Sequence, residues 1–278
     1  MDILHAILLG IVEGITEFLP VSSTGHLTIV EKLLGYEINS PGITAFTAVI
    51  QIGAILAAVV YFWKDIVRIA TAWCRGVVSS QHRDSADYRM GWYIIIGSLP
   101  VAIVGLLFKD EIETVLRSMW FVVAGLIVWS IVMLVADRKG TQQRTEGDIT
   151  WRDALIIGCV QCLSLVPGVS RSGATIAAGL FRGIDRVVAT RLSFFLGIPA
   201  LVAAGGLQAV TQASTITHTV GWGATIAGIV TSFIVGYVSI AWLLKFVSHH
   251  NFTPFVIYRI VLAFVIIGLL TSGIVLPH

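Results

Sequence analysis

Charge is scarce in this chain: 12% of its 278 residues are Asp, Glu, Lys or Arg, against 56% hydrophobic. That scarcity excludes a soluble globular domain, because a core of this length could not enclose so much apolar material, and the mean hydropathy of +0.89 agrees. There is no polybasic tail, and a net charge of +2 spread thinly along the chain argues against a nucleic-acid partner. Cysteine is nearly missing. Cys74, Cys159 and Cys162 are an odd number in an apolar chain, and the last two have no other soft ligands nearby, so a disulfide framework and a zinc or redox pair are both set aside. The first apolar stretch, 3–15, lacks a basic leader and contains Glu13, so it is not expected to be a cleaved signal peptide. What is left is a polytopic protein whose solvent is the membrane bilayer.

Six segments have the length and apolar character of spanning helices: about 41–62, 91–108, 120–136, 192–207, 221–244 and 254–276. A hydrocarbon core of roughly 30 Å takes about 20 helical residues, so each can cross. Two further stretches break that pattern and share an unusual lettering. Gly10-Ile-Val-Glu-Gly-Ile-Thr-Glu-Phe-Leu-Pro-Val-Ser-Ser-Thr-Gly-His26 and Gly158-Cys-Val-Gln-Cys-Leu-Ser-Leu-Val-Pro-Gly-Val-Ser-Arg-Ser-Gly-Ala174 align without a gap. They are identical at Gly10/Gly158, Val12/Val160, Val21/Val169, Ser22/Ser170 and Gly25/Gly173, and Gln161 stands opposite Glu13. Each interrupts an apolar run with Pro, Gly, hydroxyls and charge. In hydrocarbon the freed backbone groups and ionised side chains find no water, so such a break persists where protein encloses it or where it lines a wet cavity. Both regions, 2–34 and 153–181, are therefore expected to be re-entrant hairpins of two short helices.

The basic residues give these hairpins a side. With the termini outside, the inner segments hold Lys64, Arg68, Arg75, Arg83 and Arg89, then Arg138, Lys139, Arg144 and Arg152, then Arg182, Arg186 and Arg191, then Lys245, which is thirteen of the 18 Lys and Arg. Lys32, Lys109 and Arg117 fall outside, while Arg171 lies in a break and Arg259 within a helix. This positive-inside bias requires that neither hairpin crosses. Each half then has one hairpin and three spans, and an odd number of spans turns the second half upside down. The expected fold class is an all-α polytopic membrane protein, an inverted-topology repeat of about six transmembrane helices plus two re-entrant helical hairpins. Its parts are a first repeat over 1–137, a cytoplasmic linker over 138–152 and a second repeat over 153–278. The inner loop from about Lys64 to Arg89 and the polar linker are the sizeable soluble pieces expected. Inverted repeats bring two broken elements face to face near mid-membrane.

Glu13 and Glu17, four apart, share a helix face about one turn from each other. Such a pair calls for a shared proton, a bridging divalent cation or a cationic partner; a structural cap or pair is the plainer alternative. After Pro20, the run Ser22-Ser23-Thr24-Gly25-His26 opens the second short helix. One Ser there is ordinarily a cap, but three hydroxyls, a Gly and freed N–H groups together make an anion cradle. His26 adds an imidazole that exchanges protons near neutral pH. The second break carries Ser170-Arg171-Ser172-Gly173-Ala174-Thr175, and Arg171 is the sole Arg or Lys in either break. Its planar fork suits phosphate oxygens, unless it pairs internally with Glu13 or Glu17. Acids, hydroxyls and imidazole from one half with Arg, Ser and Thr from the other suit phosphoryl transfer. Arg171 with Ser22, Thr24, Ser170, Ser172 and Thr175 would hold phosphate, and a cation on Glu13 and Glu17 would neutralise it further. Ser23 or a water would attack, and His26 would move a proton.

At this point the lettering resembles a known family. Glu13-x-x-x-Glu17, Pro20-Val-Ser-Ser-Thr-Gly-His26 and Pro167-Gly-x-Ser-Arg-Ser-Gly-Ala-Thr175, with Gln161 ahead of the second motif and Ile257-Tyr258-Arg259 near the end, are similar to the signatures of the bacterial undecaprenyl pyrophosphate phosphatases associated with bacitracin resistance. The resemblance runs over essentially the whole chain. It implies an integral inner-membrane hydrolase that removes one phosphate from undecaprenyl pyrophosphate, a polyprenyl pyrophosphate lipid, leaving the monophosphate carrier used in cell-wall synthesis. It further implies a divalent cation, Mg2+ or Ca2+, and a site opening to the outer, periplasmic side. By matching motif positions, it implies Glu13 and Glu17 for metal and acid/base work, Ser23 as nucleophile beside Ser22, His26 for proton transfer, and Arg171 with Ser170 and Thr175 for gripping phosphate.

Without the motifs, inverted repeats with broken helices suit a secondary transporter or lipid flippase with a mid-membrane anion site as well as they suit an enzyme. Monomer and homodimer both stay open. The side assignment is directly measurable. In a cysteine-free background, Gln81→Cys and Gln143→Cys should react with an impermeant maleimide only once the inner face is exposed; labelling from outside intact spheroplasts would reverse the topology.

Overall fold

A computed structural model of the chain describes residues 1–37, 40–108 and 118–273. Among them the regular elements are helices, with a lone backbone bridge between Arg144 and Ile184. The first half runs α1 (Ile3–Thr16), α2 (Ser23–Leu33), α3 (Pro41–Tyr61), α4 (Trp63–Val78), α5 (Ala86–Leu107) and α6 (Met119–Lys139). The second runs α7 (Trp151–Gln161), α8 (Arg171–Phe181), α9 (Arg186–Thr211), the short α10 (Ala213–His218), α11 (Trp222–Val247) and α12 (Thr253–Thr271). Helices α3, α5, α6, α9, α11 and α12 are long and apolar enough to cross a membrane, and they coincide with the six segments expected. Lys109, Arg117 and the last residues of the final expected segment lie outside the described residues.

Local chemistry accounts for most boundaries. Helix α3 opens with Pro41 in its first turn, and the Ser40 hydroxyl accepts from the Ile43 N–H. A reciprocal capping box between Thr150 and Asp153 starts α7. Asp185 accepts from the amides of Val187 and Val188 to start α9. The stretch 64–89 differs from the soluble loop expected, because Trp63–Val78 is helical. Its Ile66, Ile69, Ala70 and Trp73 recur at helical spacing and face α5 and α9 around an apolar pocket, while Lys64, Arg68 and Arg75 occupy other positions. The charge density hid that periodicity.

Packing depends on small residues, since helices in lipid gain little from excluding apolar surface and must instead approach closely. Gly10 and Gly14 of α1 lie on Gly228, Ser232 and Gly236 of α11: a Cβ at Gly10 would sit 2.6 Å from the Gly228 carbonyl oxygen, and one at Gly14 2.8 Å from that of Ser232. Gly158 of α7, the aligned partner of Gly10, meets the backbone of Gly97 on α5 in the same way. The helix contacts repeat accordingly. α1 packs on α11 as α7 packs on α5, and α3 on α11 as α9 on α5, so these two contacts recur when the halves are exchanged.

Two buried carboxylates fasten the linker side. Asp153 receives Arg182 Nε at 2.7 Å and Arg144 Nη2 at 2.5 Å. Burial alone would push its carboxyl up, but the hydrogen bonds from Arg144, Thr150 and Arg182 outweigh burial and hold it well below the usual carboxylate range. Asp137 at the end of α6 takes Arg186 Nε at 2.6 Å and the Phe252 N–H at 2.9 Å, tying α6 to the starts of α9 and α12. The glycine contact offers a direct test of the packing argument. Gly158→Ala should cost about 1–3 kcal/mol by overpacking and lower the melting temperature in detergent, whereas Gly105→Ala, with open space around it, should not.

Candidate functional site

The two breaks adopt the same unusual backbone. Ser22 has φ +76° and Ser170 φ +73°, a region that side-chain-bearing residues rarely enter, and these are the aligned positions of the repeat. Each such residue costs of order 1–3 kcal/mol and persists only where its surroundings over-determine it. Here they do. The Ser170 hydroxyl accepts from the Gly173 N–H to cap α8, and the Ser22 carbonyl accepts from His26 Nδ1 at 2.7 Å. The bend sets the first turns of α2 and α8 on the wall of one cavity.

That cavity, about 220 Å3, is lined by Thr16, Glu17, Ser22, Ser23 and Thr24 from the first pair of short helices and by residues 164–168, Ser170 and Arg171 from the second, with Gln51 of α3 and Leu201 of α9. Arg171 Nη2 donates across it to Glu17 Oε1 at 3.2 Å. The other carboxylate oxygen, Oε2, accepts from the Ser23 hydroxyl at 2.9 Å. Arg171 Nη1 donates to the Ser193 carbonyl at 3.2 Å, while its Nε is buried without a protein partner. The internal ion pair open from the sequence is thus the arrangement observed, with Glu17 rather than Glu13. Guanidinium and carboxylate side chains are 13% and 6% exposed, so their attraction is little screened by water and an anion entering the cavity meets a desolvated Arg171.

The remaining expected residues take different places. Glu13, a turn before Glu17, is fully buried, has no protein partner at either carboxylate oxygen, and lines a neighbouring cavity. Ser172 and Thr175 stand behind the first cavity rather than on it. The Ser172 hydroxyl donates to the Leu19 carbonyl, and that of Thr175 to Ser193 Oγ at 2.6 Å, so both hold α8 against its neighbours. His26 is also absent from the cavity wall. Its ring lies between the Ser22 carbonyl and the Tyr258 hydroxyl, which is 2.6 Å from Nε2. With Nδ1 donating to a carbonyl, the neutral ring leaves Nε2 to accept from Tyr258.

The fold brings in three further side chains to which the sequence assigned no role. Gln51 and Gln208 are amides within apolar spans, and that polarity was the available signal. The third is Arg259 of α12, completely buried. Its guanidinium donates to the Pro20 carbonyl at 3.1 Å in the first break, to the Gly168 carbonyl at 2.8 Å in the second, and to Gly125 O and Ser130 Oγ of α6. One side chain therefore braces both breaks against the same spanning helix.

These features define a class: a polytopic helical membrane protein in which two broken helix pairs meet around a serine, a carboxylate and an arginine. Comparison with known sequences narrows it, for the model of the bacitracin resistance protein BacA family matches residues 6–265, and the chain belongs to that family. It is 61% identical to an undecaprenyl-diphosphatase of Cutibacterium acnes and 58% identical to undecaprenyl-diphosphatase 3 of Frankia casuarinae, each over 99% of both chains. An undecaprenyl-diphosphatase of Mycolicibacterium smegmatis is 47% identical over the same share. The Arg259 brace yields its own prediction. Arg259→Lys keeps the charge but cannot span carbonyls on three segments, so unsatisfied acceptors at about 1–3 kcal/mol each should lower the melting temperature; a melting temperature equal to wild type would remove the brace.

Proposed function

We propose that this protein is an undecaprenyl-diphosphatase, hydrolysing undecaprenyl pyrophosphate to undecaprenyl phosphate and orthophosphate and so returning the cell-wall carrier lipid to use, the activity behind bacitracin resistance. The observation that carries the reading is the Ser23–Glu17–Arg171 array inside a chain that shares nearly its full length with relatives bearing that name. The transporter and flippase readings lack such support.

In the reaction, the terminal phosphate enters the cavity and takes Arg171 from Glu17, with Ser22, Thr24 and Ser170 as further hydrogen-bonding groups. Release from the ion pair frees Glu17 to accept the Ser23 proton along the existing 2.9 Å hydrogen bond. Ser23 Oγ forms a bond to the terminal phosphorus as the anhydride P–O bond breaks, and undecaprenyl phosphate leaves with the bond electrons. Arg171 holds the charge that spreads over the phosphoryl oxygens. Water then cleaves the phosphoserine, releasing orthophosphate and restoring the hydroxyl. His26 serves this sequence by fixing Ser22, next to the nucleophile, in its strained conformation, and Tyr258 offers a route for any proton it exchanges. Ser172 and Thr175 act by holding α8, and Arg171 with it, in place.

The site also fits a divalent cation. A fully buried carboxylate with neither oxygen paired, as at Glu13, is costly unless it is protonated or coordinated. Glu13 would hold Mg2+ or Ca2+, and Glu17 would join it only by giving up Arg171. Such an ion supplies charge neutralisation to phosphate oxygens when bound. We place the protein in the bacterial inner membrane as two inverted repeats, 1–137 and 153–278 about the linker 138–152, each beginning with a re-entrant hairpin and with the cavity open to the periplasmic side. The distribution of Lys and Arg and the recurrence of the α1–α11 and α3–α11 contacts as α7–α5 and α9–α5 support this topology.

Phosphate release from undecaprenyl pyrophosphate in detergent tests the assignment. Arg171→Ala and Ser23→Ala should each lower kcat by about 10²–10³-fold or more, and Arg171→Lys should not restore it, because a single ammonium cannot reproduce the planar fork. Wild-type turnover by Arg171→Ala would remove the site; wild-type turnover by Ser23→Ala alone would assign the attack to water.

A further inference from the structure

The cavity that Glu13 lines adjoins the first and shares Ser23, Thr24, Gln51 and Pro167 with it. It measures about 300 Å3, and Leu27, Ala48, Met119 and Val122 give it an apolar side. Of the four shared residues, Gln51 alone comes from outside the breaks: it is a carboxamide halfway along the spanning helix α3. Its direction is fixed from behind. A Cβ at Gly53 would run into the Ile229 carbonyl, so α3 lies against the backbone of α11, and two residues make about 200° of helical turn, which aims Gln51 away from α11 and into the cavities. Among the described residues the Gln51 side chain makes no hydrogen bond, although an unpaired amide inside an apolar layer is costly. Ser23 gives its proton to Glu17, and Thr28 and Thr47 give theirs to carbonyls one turn back. Gln51 therefore holds two uncommitted N–H donors where the cavities meet.

We propose that Gln51 is a substrate-binding residue that donates to the inner, prenyl-side phosphate of the bound diphosphate and so selects a diphosphate over a monophosphate. Its catalytic meaning rests on the phosphatase reading. The walls dictate the placement. Arg171 lines the first cavity and not the second, which puts the terminal phosphate in the first, where Ser23 can reach it. The two phosphorus atoms of a diphosphate share one oxygen, so the inner phosphate comes to the shared wall and the prenyl chain continues along Leu27, Ala48, Met119 and Val122. When the anhydride bond breaks, the inner phosphate takes its electrons. An N–H already directed there binds more strongly as that charge grows, which favours the transition state over the ground state. Orthophosphate, held on the Arg171 side, has no second phosphate to offer Gln51.

Calorimetric titration of two anions into the protein in detergent tests the contact: orthophosphate, and methylenediphosphonate, a diphosphate analogue whose bridge cannot be hydrolysed. Wild type should bind the diphosphonate at least about tenfold more tightly, the size of a hydrogen bond to a charged group. Gln51→Met, close in volume but without a donor, should lose that preference through weaker diphosphonate binding while keeping its affinity for orthophosphate. Arg171→Ala should weaken both. With undecaprenyl pyrophosphate, Gln51→Met should lower kcat/KM by about tenfold or more at an unchanged melting temperature. If Gln51→Met fails to fold, Gln51→Glu, which keeps the shape and presents an acceptor, should show the same selective loss. A preference absent from wild type, a preference retained by the variants, or an equal loss of affinity for both anions would overturn the proposal, and wild-type turnover would leave the enzyme assignment standing. A preference that disappears with Gln51 in a protein releasing no phosphate would uphold the site and sink the phosphatase.

Discussion

Arg259 carries a positive charge into a fully buried position and meets no carboxylate among the described residues. What meets it instead is the set of carbonyls that broken helices leave behind. A helix that stops inside an apolar layer exposes acceptors that water cannot reach, each of them destabilising until something donates to it. The guanidinium has five N–H groups in a fixed fork and distributes them over Pro20, Gly168 and Gly125 carbonyls and the Ser130 hydroxyl. Both breaks are thereby held to α6 and α12 at once. That common brace acts together with the Arg171–Glu17 ion pair and the Ser172–Leu19 hydrogen bond, which join the two interruptions directly.

From this placement the rest of the site follows. Once the breaks are adjacent, Ser22 and Ser170 turn their helices out of line, and the first turns of α2 and α8 wall one cavity. Glu17 and Arg171 then face each other with both side chains largely buried, which strengthens their attraction and also makes Arg171 a strong hydrogen-bond donor for any anion able to displace the carboxylate. Ser23 bonds to the same carboxylate. In the proposed reaction the resting ion pair would keep Glu17 engaged and release it as base when phosphate takes Arg171, coupling activation of Ser23 to substrate binding.

The glycine contacts show why the arrangement can exist at all. α1 and α7 are short and carry the breaks at their ends, so they must be fixed from their sides. Gly10 and Gly14 let α1 lie against the backbone of α11, and Gly158 lets α7 lie against α5. Close approach compensates for shortness, since dispersion contacts and not water exclusion hold helices together in lipid.

Much of this was legible before any coordinates. Hydropathy runs and the Pro and Gly interruptions each act within a few residues, so the six spans and the two short-helix pairs were visible, and Glu17, Ser23 and Arg171 stood within the larger group of polar residues that the two breaks carry. The amphipathic α4 was missed because its charges masked the 3.6-residue period. Partner choice was not legible. Glu13 and Glu17 share a helix face, yet the rise of about 5.4 Å per turn is enough to put one in the arginine cavity and the other in its neighbour beside Glu31. His26 went to Ser22 and Tyr258, and Arg259 from an apolar span to both breaks, 91 and 239 residues away. Such pairings arise from where whole helices cross, and no local pattern in the chain encodes that.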